Sequence, residues 1–362
     1  MTTLTSLRID QDLDGDVQPA VGFSHLSLVP GLQDLAIFAV VSGPFPPAAL
    51  SSLQRLTNLT LNLQQVPLPA GPEPAPRLSA EHFAACPALR RLWLGGVDVL
   101  LSQQQALAAW QQLKELSLFP ANNPWQPAGF WQALPQLPAL VNVQIGDASD
   151  APRQLLHNQL PGWTRLEALA MHYYPEPTLP QLPTSLTELR LWQAEVMQVA
   201  PVAHSLRSLQ LGECLTLNVW PHSMTAMSQL TSLAILECHL GVLPAAVAAL
   251  PALAKLDVVL SRLVVLPKQM DCLGSLRRLV LEGNELESVP AVLAGGAASR
   301  SEHLDLSDNP ALGITEEGLQ ILRSLTTLTF LGLRRLGSLE QLDMLKDGLS
   351  HVLPSCNINI AQ

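Results

Sequence analysis

Two neighbouring pairs in this 362-residue chain carry the residue types that nucleophilic or metal chemistry needs. Cys238-His239 offers a thiol beside an imidazole, the raw material of an activated thiolate. His303 and Asp305 stand two residues apart, a spacing that puts both on one side of a strand and would suit a dyad or two metal ligands. Neither pair is completed. No third ligand or nucleophile can be assigned beside His303 and Asp305. The chain has no His-Glu-x-x-His, no Cys-x-x-Cys and no serine set as in a nucleophile elbow. Gly295-Gly296 is followed by Ala-Ala-Ser with no lysine, so neither common phosphate-cradling loop is present. The expectation is no catalytic residue, no metal, no cofactor and no small-molecule substrate.

What the residues offer instead is surface. Phe38, Trp93, Phe119, His172, Tyr173, Trp192 and Leu236 fall at or beside positions that point away from an apolar core. Tryptophan and tyrosine dominate binding hot spots, so these form a candidate recognition patch, with Trp93 and Trp192 as anchors. Glu213, Glu237, Asp257, Glu282, Asp305 and Asp308 form a second candidate set, an acidic stripe that would suit a basic protein partner.

These assignments depend on the elements that position the side chains. A six-residue phrase, leucine-x-x-leucine-x-leucine, returns about fifteen times at intervals of 20 to 33 residues. Good copies are Leu89-Arg-Arg-Leu92-Trp-Leu94, Leu186-Thr-Glu-Leu189-Arg-Leu191, Leu206-Arg-Ser-Leu209-Gln-Leu211 and Leu276-Arg-Arg-Leu279-Val-Leu281. The last two leucines of each phrase alternate with polar residues, the period of a short strand with one buried face. One such strand per repeat, always in the same orientation, predicts a parallel sheet wound as a coil. Each turn buries its leucines against the next, since no turn can close a core alone.

Proline tests that register. A strand flanked on both sides must donate its N–H groups, which proline cannot do. The chain holds 30 prolines, yet none falls in the first fourteen phrases. They crowd into connections such as Pro67, Pro69, Pro72, Pro74 and Pro76. Three positions after the last leucine-type residue of the phrase, several repeats carry a small polar group: Cys214, Cys238, Ser261, Asn284 and Asn309. Buried there, such a side chain would satisfy backbone groups that the turn leaves open. Cys238 is thereby placed inside the coil, which favours a structural role over a thiolate.

The phrase and its asparagine-or-cysteine position resemble the leucine-rich repeat family over essentially the whole chain. That resemblance implies an α/β solenoid, a horseshoe with a parallel concave β-sheet of about fifteen strands and a convex side of irregular, 3₁₀ or short-helical segments. The turns Leu240-Gly-Val-Leu-Pro244, Leu263-Val-Val-Leu-Pro267 and Leu286-Glu-Ser-Val-Pro290 are similar to the intracellular Ras-group type. His351-Val-Leu-Pro-Ser-Cys-Asn-Ile358 resembles terminal turns of the ribonuclease-inhibitor-like type. A single solenoid over 1–362 is expected, with a Pro-rich insertion at 64–82 and a C-terminal cap at 338–362. Thr315-Glu-Glu should open a helix, and Ser338-Leu-Glu-Gln341 is a capping box.

Composition narrows the partners. A net charge of −10 argues against nucleic acid and anionic membranes. The hydrophobic content of 48% reflects 74 leucines rather than a membrane segment, because no apolar run approaches the length of a span. The start, Met-Thr-Thr-Leu-Thr-Ser-Leu-Arg, lacks the basic and apolar parts of a signal peptide. Five dispersed cysteines (86, 214, 238, 272 and 356) lack the clustering of disulfide-bonded caps, so reduced thiols and a cytoplasmic setting are expected. The resemblance implies a non-catalytic protein-interaction scaffold or signalling regulator. The alternatives are the substrate receptor of a ubiquitin ligase without its F-box, or a structural component of the cytoskeleton or ciliary axoneme.

Overall fold

The computed structural model describes residues 4–10, 23–41, 50, 52–65, 76–84, 86–119, 128–146, 159–173, 181–194, 203–214, 227–294, 300–336, 345 and 348–360. The chain divides into two compact units, Met1–Tyr173 and Tyr174–Gln362. Both are coils of parallel strands, with fifteen repeat strands in total, seven in the first unit and eight in the second.

In the first unit the repeat strands are β1 (Ser6–Asp10), β2 (Asp34–Val41), β3 (Asn58–Gln65), β5 (Arg91–Gly95), β7 (Glu115–Phe119), β8 (Asn142–Ile145) and β9 (Ala168–His172), hydrogen-bonded in that order. The register follows the leucine phrase, with Leu35 opposite Leu59, Leu59 opposite Leu92, and Leu92 opposite Leu116. In β7 the alternation is plain: Leu116 and Leu118 are buried, and Glu115, Ser117 and Phe119 look outward. A two-stranded parallel pair, β4 (Arg77–Ser79) and β6 (Asp98–Leu100), lies outside that sheet. The proline-rich stretch 66–75 lies outside the described residues.

Three short helices form the back of this unit, Ala80–Ala84, Gln103–Ala109 and Ala128–Ala133. The second begins at a capping box, in which the Ser102 hydroxyl accepts from Gln105 N–H and the Gln105 side chain accepts from Ser102 N–H. Beneath them runs a chain of edge-to-face rings, Phe83 on Trp110 (5.3 Å), Trp110 on Phe130 (5.7 Å) and Phe130 on Trp131 (5.3 Å). All four are essentially fully buried. This aromatic spine is a second core, behind the leucine core.

The second unit holds β10 (Glu188–Trp192), β11 (Ser208–Gly212), β12 (Ser232–Leu236), β13 (Lys255–Val259), β14 (Arg278–Val280), β15 (His303–Asp305), β16 (Phe330–Gly332) and β17 (Asn357–Asn359), again in sequence order. Its back is thinner. After Pro244, Pro267 and Pro290 come single 3₁₀ turns, Ala245–Ala249, Lys268–Cys272 and Ala291–Ala294. Proline suits those starts because its missing N–H falls where no partner is due. A nine-residue α-helix, Glu316–Ser324, opens as expected at Thr315, whose hydroxyl accepts from Gly318 N–H at 3.2 Å. The capping box at 338–341 lies outside the described residues. No described helix is long and apolar enough to cross a membrane.

The small polar residues form a continuous ladder. Cys214 N–H donates to Cys238 Sγ, Cys238 N–H to Ser261 Oγ, Ser261 N–H to Asn284 Oδ1, and Leu286 N–H to Asn309 Oδ1, at 3.0 to 3.3 Å. The rungs donate in turn to strand carbonyls, Ser261 to Ile235 O and Asn309 to Leu281 O. Each rung thus closes the backbone of its own turn and of the turn before.

Just before each rung sits a residue in the left-handed region. Gly96 and Gly283 fill it as steric rules would suggest, but so do Tyr173, Gln193, Glu213, Glu237, Leu260, Asp308 and Arg335, with φ between 49° and 57°. Where this left-handed turn is described, it is therefore set by the coil, not by local preference.

Leu256 shows how the core responds to damage. It is fully buried, opposite Leu233 and Leu279 on the neighbouring strands. Leu256→Ala should cost about 2–5 kcal/mol through lost burial and a cavity. Since a turn touches mainly its neighbours, hydrogen exchange should rise first around 230–285. Uniform loss of protection across the unit would contradict that picture.

Candidate functional site

The outward face of the first unit is built from the non-leucine positions of its strands. Trp93 on β5 and Phe119 on β7 stack with centroids 5.2 Å apart and planes 28° from parallel. Phe119 meets His172 of β9 edge-on at 5.3 Å. Gln144 Nε2 donates to His172 Nε2 at 2.9 Å, which orients the imidazole. Each ring lies over a glycine, Trp93 over Gly95 two residues on in its own strand and Phe119 over Gly146 just past the end of β8. A Cβ on Gly95 would come within 2.5 Å of Trp93, and one on Gly146 within 2.2 Å of Phe119. Glycine lets large rings lie flat on the sheet and remain half-buried rather than stand in solvent. Tyr173, beside them in sequence, is 49% exposed and takes the left-handed turn position. At the other end of the face Arg8 lies over the Phe38 ring, 4.7 Å from its centroid.

Trp192 belongs to the second unit and follows the same rule, since a Cβ on Gly212 would lie 2.3 Å from its ring. Leu236 is half-buried at the end of β12.

The acidic set differs from the stripe expected from sequence, because arginines of neighbouring turns are interleaved with it. Asp257 takes a hydrogen bond from Arg278 Nε (3.1 Å), Glu282 pairs with Arg334 (3.1 Å) and Asp308 with Arg335 (3.0 Å). Glu213 accepts from Gln193 Nε2 (2.8 Å). Asp305 is buried rather than on the accessible surface. It is 9% exposed, its Oδ1 accepts from Ser307 N–H, and its carboxylate occupies the space left by Gly332. Burial, the charge of Asp305 and that of Asp308 push the Glu282 carboxyl above its ordinary range, opposed by Arg334. The surface here is a mixed-charge lattice rather than a uniformly acidic one.

Neither candidate reactive pair is assembled. Cys238 is buried and His239 is exposed, on opposite sides of the turn. The side-chain hydrogen bond that the Cys238 thiol makes to Cys214, together with burial, pushes the Cys238 thiol up, away from the thiolate that catalysis would need. His303 stacks flat on Phe330 (centroids 4.3 Å, planes 9° apart), and Arg278 Nη1 donates to its Nε2 at 2.9 Å. Burial and then Arg278 lower the His303 pKa, and its free lone pair is already used. Among the described residues no group of three or more His, Cys, Asp or Glu could hold a metal.

Solved structures align with this architecture along most of its length. A leucine-rich-repeat protein of Leptospira interrogans superposes with a TM-score of 0.54 at 20% identity, covering 92% of this chain and 85% of that one. The fold is that of the leucine-rich repeat. TLR13, solved in complex with ssRNA13, superposes with a TM-score of 0.51 at 16% identity, covering 86% of this chain and 50% of its own. No protein-family model matches the sequence, and no curated protein matches it. The outward sheet face bearing Trp93, Phe119 and His172 is the candidate site. Sequence reasoning finds those three residues but not their contact, nor the glycines that permit it, nor the groove that opens beside Trp93. That groove has a volume of about 420 Å³ and is floored by Ala36 and Thr60. The signal for it is a run of small or short residues at one outward position of successive strands.

Proposed function

We propose that this protein is a non-catalytic protein-interaction scaffold or signalling regulator that holds a protein partner on its outward sheet face. The contiguous run of Trp93, Phe119 and His172 carries the reading. Stacked, half-buried rings on rigid strands give large contact area at little entropic cost, which is the character of a binding hot spot. The net charge of −10 favours a protein over a nucleic acid, even though one fold neighbour, TLR13, was solved with RNA. The four described cysteines that are thiols, three of them buried, support a reducing, cytoplasmic setting. The proline-led 3₁₀ turns at 245–294 support a Ras-group-like repeat type there, and the helix Glu316–Ser324 supports a change of type toward the end.

Affinity capture with the full chain tests this. The double variant Trp93→Ala/Phe119→Ala should lose the main captured partner by at least about tenfold, a loss of some 1.4 kcal/mol or more. Its fold should weaken by roughly 2–5 kcal/mol, about 1 kcal/mol for the ring pair and the rest for the apolar area of two half-buried rings, and circular dichroism at the capture temperature shows that the variant is folded. Glu237→Gln should capture as the wild type does. Undiminished capture by the double variant would refute the assignment of the face.

A further inference from the structure

The groove beside Trp93 has a chemical character of its own. Its lining comes from β1, β2, β3, β5 and β7, all in the first unit. Ala36 and Thr60 lie opposite each other in register and form a low floor. Arg8 closes one end and Trp93 the other. Along one rim stand Asp34, Asn58, Arg91 and Glu115, each opposite the next on successive strands.

Charge accounting along that rim leaves one group over. Arg8 is held by both carboxylate oxygens of Asp10, at 3.1 and 2.7 Å. Arg91 faces Glu115 at 3.7 Å. Asp34 has no cationic partner among the described residues, and only the Asn58 side-chain amide donates to it, at Oδ1. That bond uses the Asn58 amide nitrogen and leaves Asp34 Oδ2 and Asn58 Oδ1 as acceptors on adjacent strands. A carboxylate and an amide oxygen side by side match the forked donors of a guanidinium, whose planar shape also suits a narrow slot. From Asp34 to the strand of Trp93 is two strand spacings, roughly 10 Å, and an extended arginine side chain reaches most of that distance. The floor between them is small enough to pass its methylenes.

We propose that this groove takes an arginine side chain of an extended segment of the protein partner. Its guanidinium sits on Asp34 and Asn58, its methylenes lie over Ala36 and Thr60, and its backbone packs against Trp93. This rests on the outward face being a protein-binding surface, and adds the feature of the partner that it recognises.

The test uses the full chain labelled with 5-fluorotryptophan, the Trp93 resonance being the one missing from Trp93→Phe. Titration with N-acetyl-arginine methylamide should shift that resonance saturably, with a dissociation constant on the order of 1 mM, as expected for so small a probe. The citrulline analogue, equal in shape but uncharged, should bind at least about tenfold more weakly. Asp34→Asn should weaken the arginine probe by a similar factor. Thr60→Arg should abolish the shift by filling the floor, and an unchanged circular dichroism spectrum would show that it folds. Equal binding of the citrulline probe, or full binding to Asp34→Asn, would overturn the proposal. If the arginine probe leaves Trp93 unmoved while Trp93→Ala/Phe119→Ala still loses the captured partner, the surface stands and the arginine subsite falls.

Discussion

Gly96→Ala should destabilise the first unit by roughly 3–5 kcal/mol, far more than an exposed glycine-to-alanine change ordinarily does. Two effects are superposed at this position. Its φ of +69° is costly for any residue with a Cβ, yet seven non-glycine residues accept the same turn elsewhere in the chain, so that strain alone is tolerable. The larger effect is steric. A Cβ on Gly96 would lie 2.0 Å from the carbonyl oxygen of Leu63, a backbone atom of the adjoining turn that has no side-chain freedom to yield. Gly241 separates the two effects, since it has φ +61° and nothing within 4 Å of an added methyl. Gly241→Ala should therefore cost only about 1 kcal/mol. Urea denaturation of both variants measures the difference, and equal shifts in midpoint would show that the Leu63 carbonyl is not the obstacle.

Asn284→Ala should cost about 3–5 kcal/mol in the second unit. The side-chain oxygen accepts two buried N–H groups, from Ser261 and Leu263, both at 3.0 Å. The side-chain nitrogen donates to Val258 O, Leu281 O and Glu282 O. Alanine leaves both N–H groups buried without acceptors, at about 1–3 kcal/mol each, in a site that is 2% exposed. Asn284→Ser should recover part of the loss, because Ser261 already performs the same task one turn earlier with a single hydroxyl. Thermal or chemical unfolding would show the order wild type, Ser, Ala. A serine variant no better than alanine would mean that amide length, not the hydrogen-bonding group, is what the site requires.

The strands and the ladder are legible in the sequence because each is enforced many times over. Leucine at two alternating positions and the exclusion of proline define the sheet. Cys214, Cys238, Ser261, Asn284 and Asn309 recur at one offset from it. The left-handed turn is invisible there, because Tyr173, Gln193, Glu213, Glu237 and Leu260 share no side-chain property. Three of those residues stand among the candidate recognition residues, and nothing in their types betrays the backbone they occupy. The leucine phrase says nothing of the helices of the first unit, although Ser102 and Gln105 form a capping box in plain view. Asp305 departs from its expected place because alternation gives the side of a strand but not the depth. The informative residue is Gly332 opposite it, which opens the space a carboxylate fills. The acidic stripe is interrupted by arginines at three of its members for a related reason. Its arginine partners, at 278, 334 and 335, are distant in sequence and adjacent only across turns.

The ladder from Cys214 to Asn309 runs in one direction, each rung accepting from the turn before and offering its own N–H to the turn after. A turn cut from this stretch carries a plug on one side and a socket on the other. Residues 255–277 copied in tandem would join end to end, because Ser261 presents its hydroxyl backward and its N–H forward, as both neighbours require. The same cassette inserted ahead of Val97 would meet a rung with no acceptor to offer. Growth by duplication is thus open to the later turns, whereas at Val97 an added cassette finds no side-chain acceptor to continue the ladder.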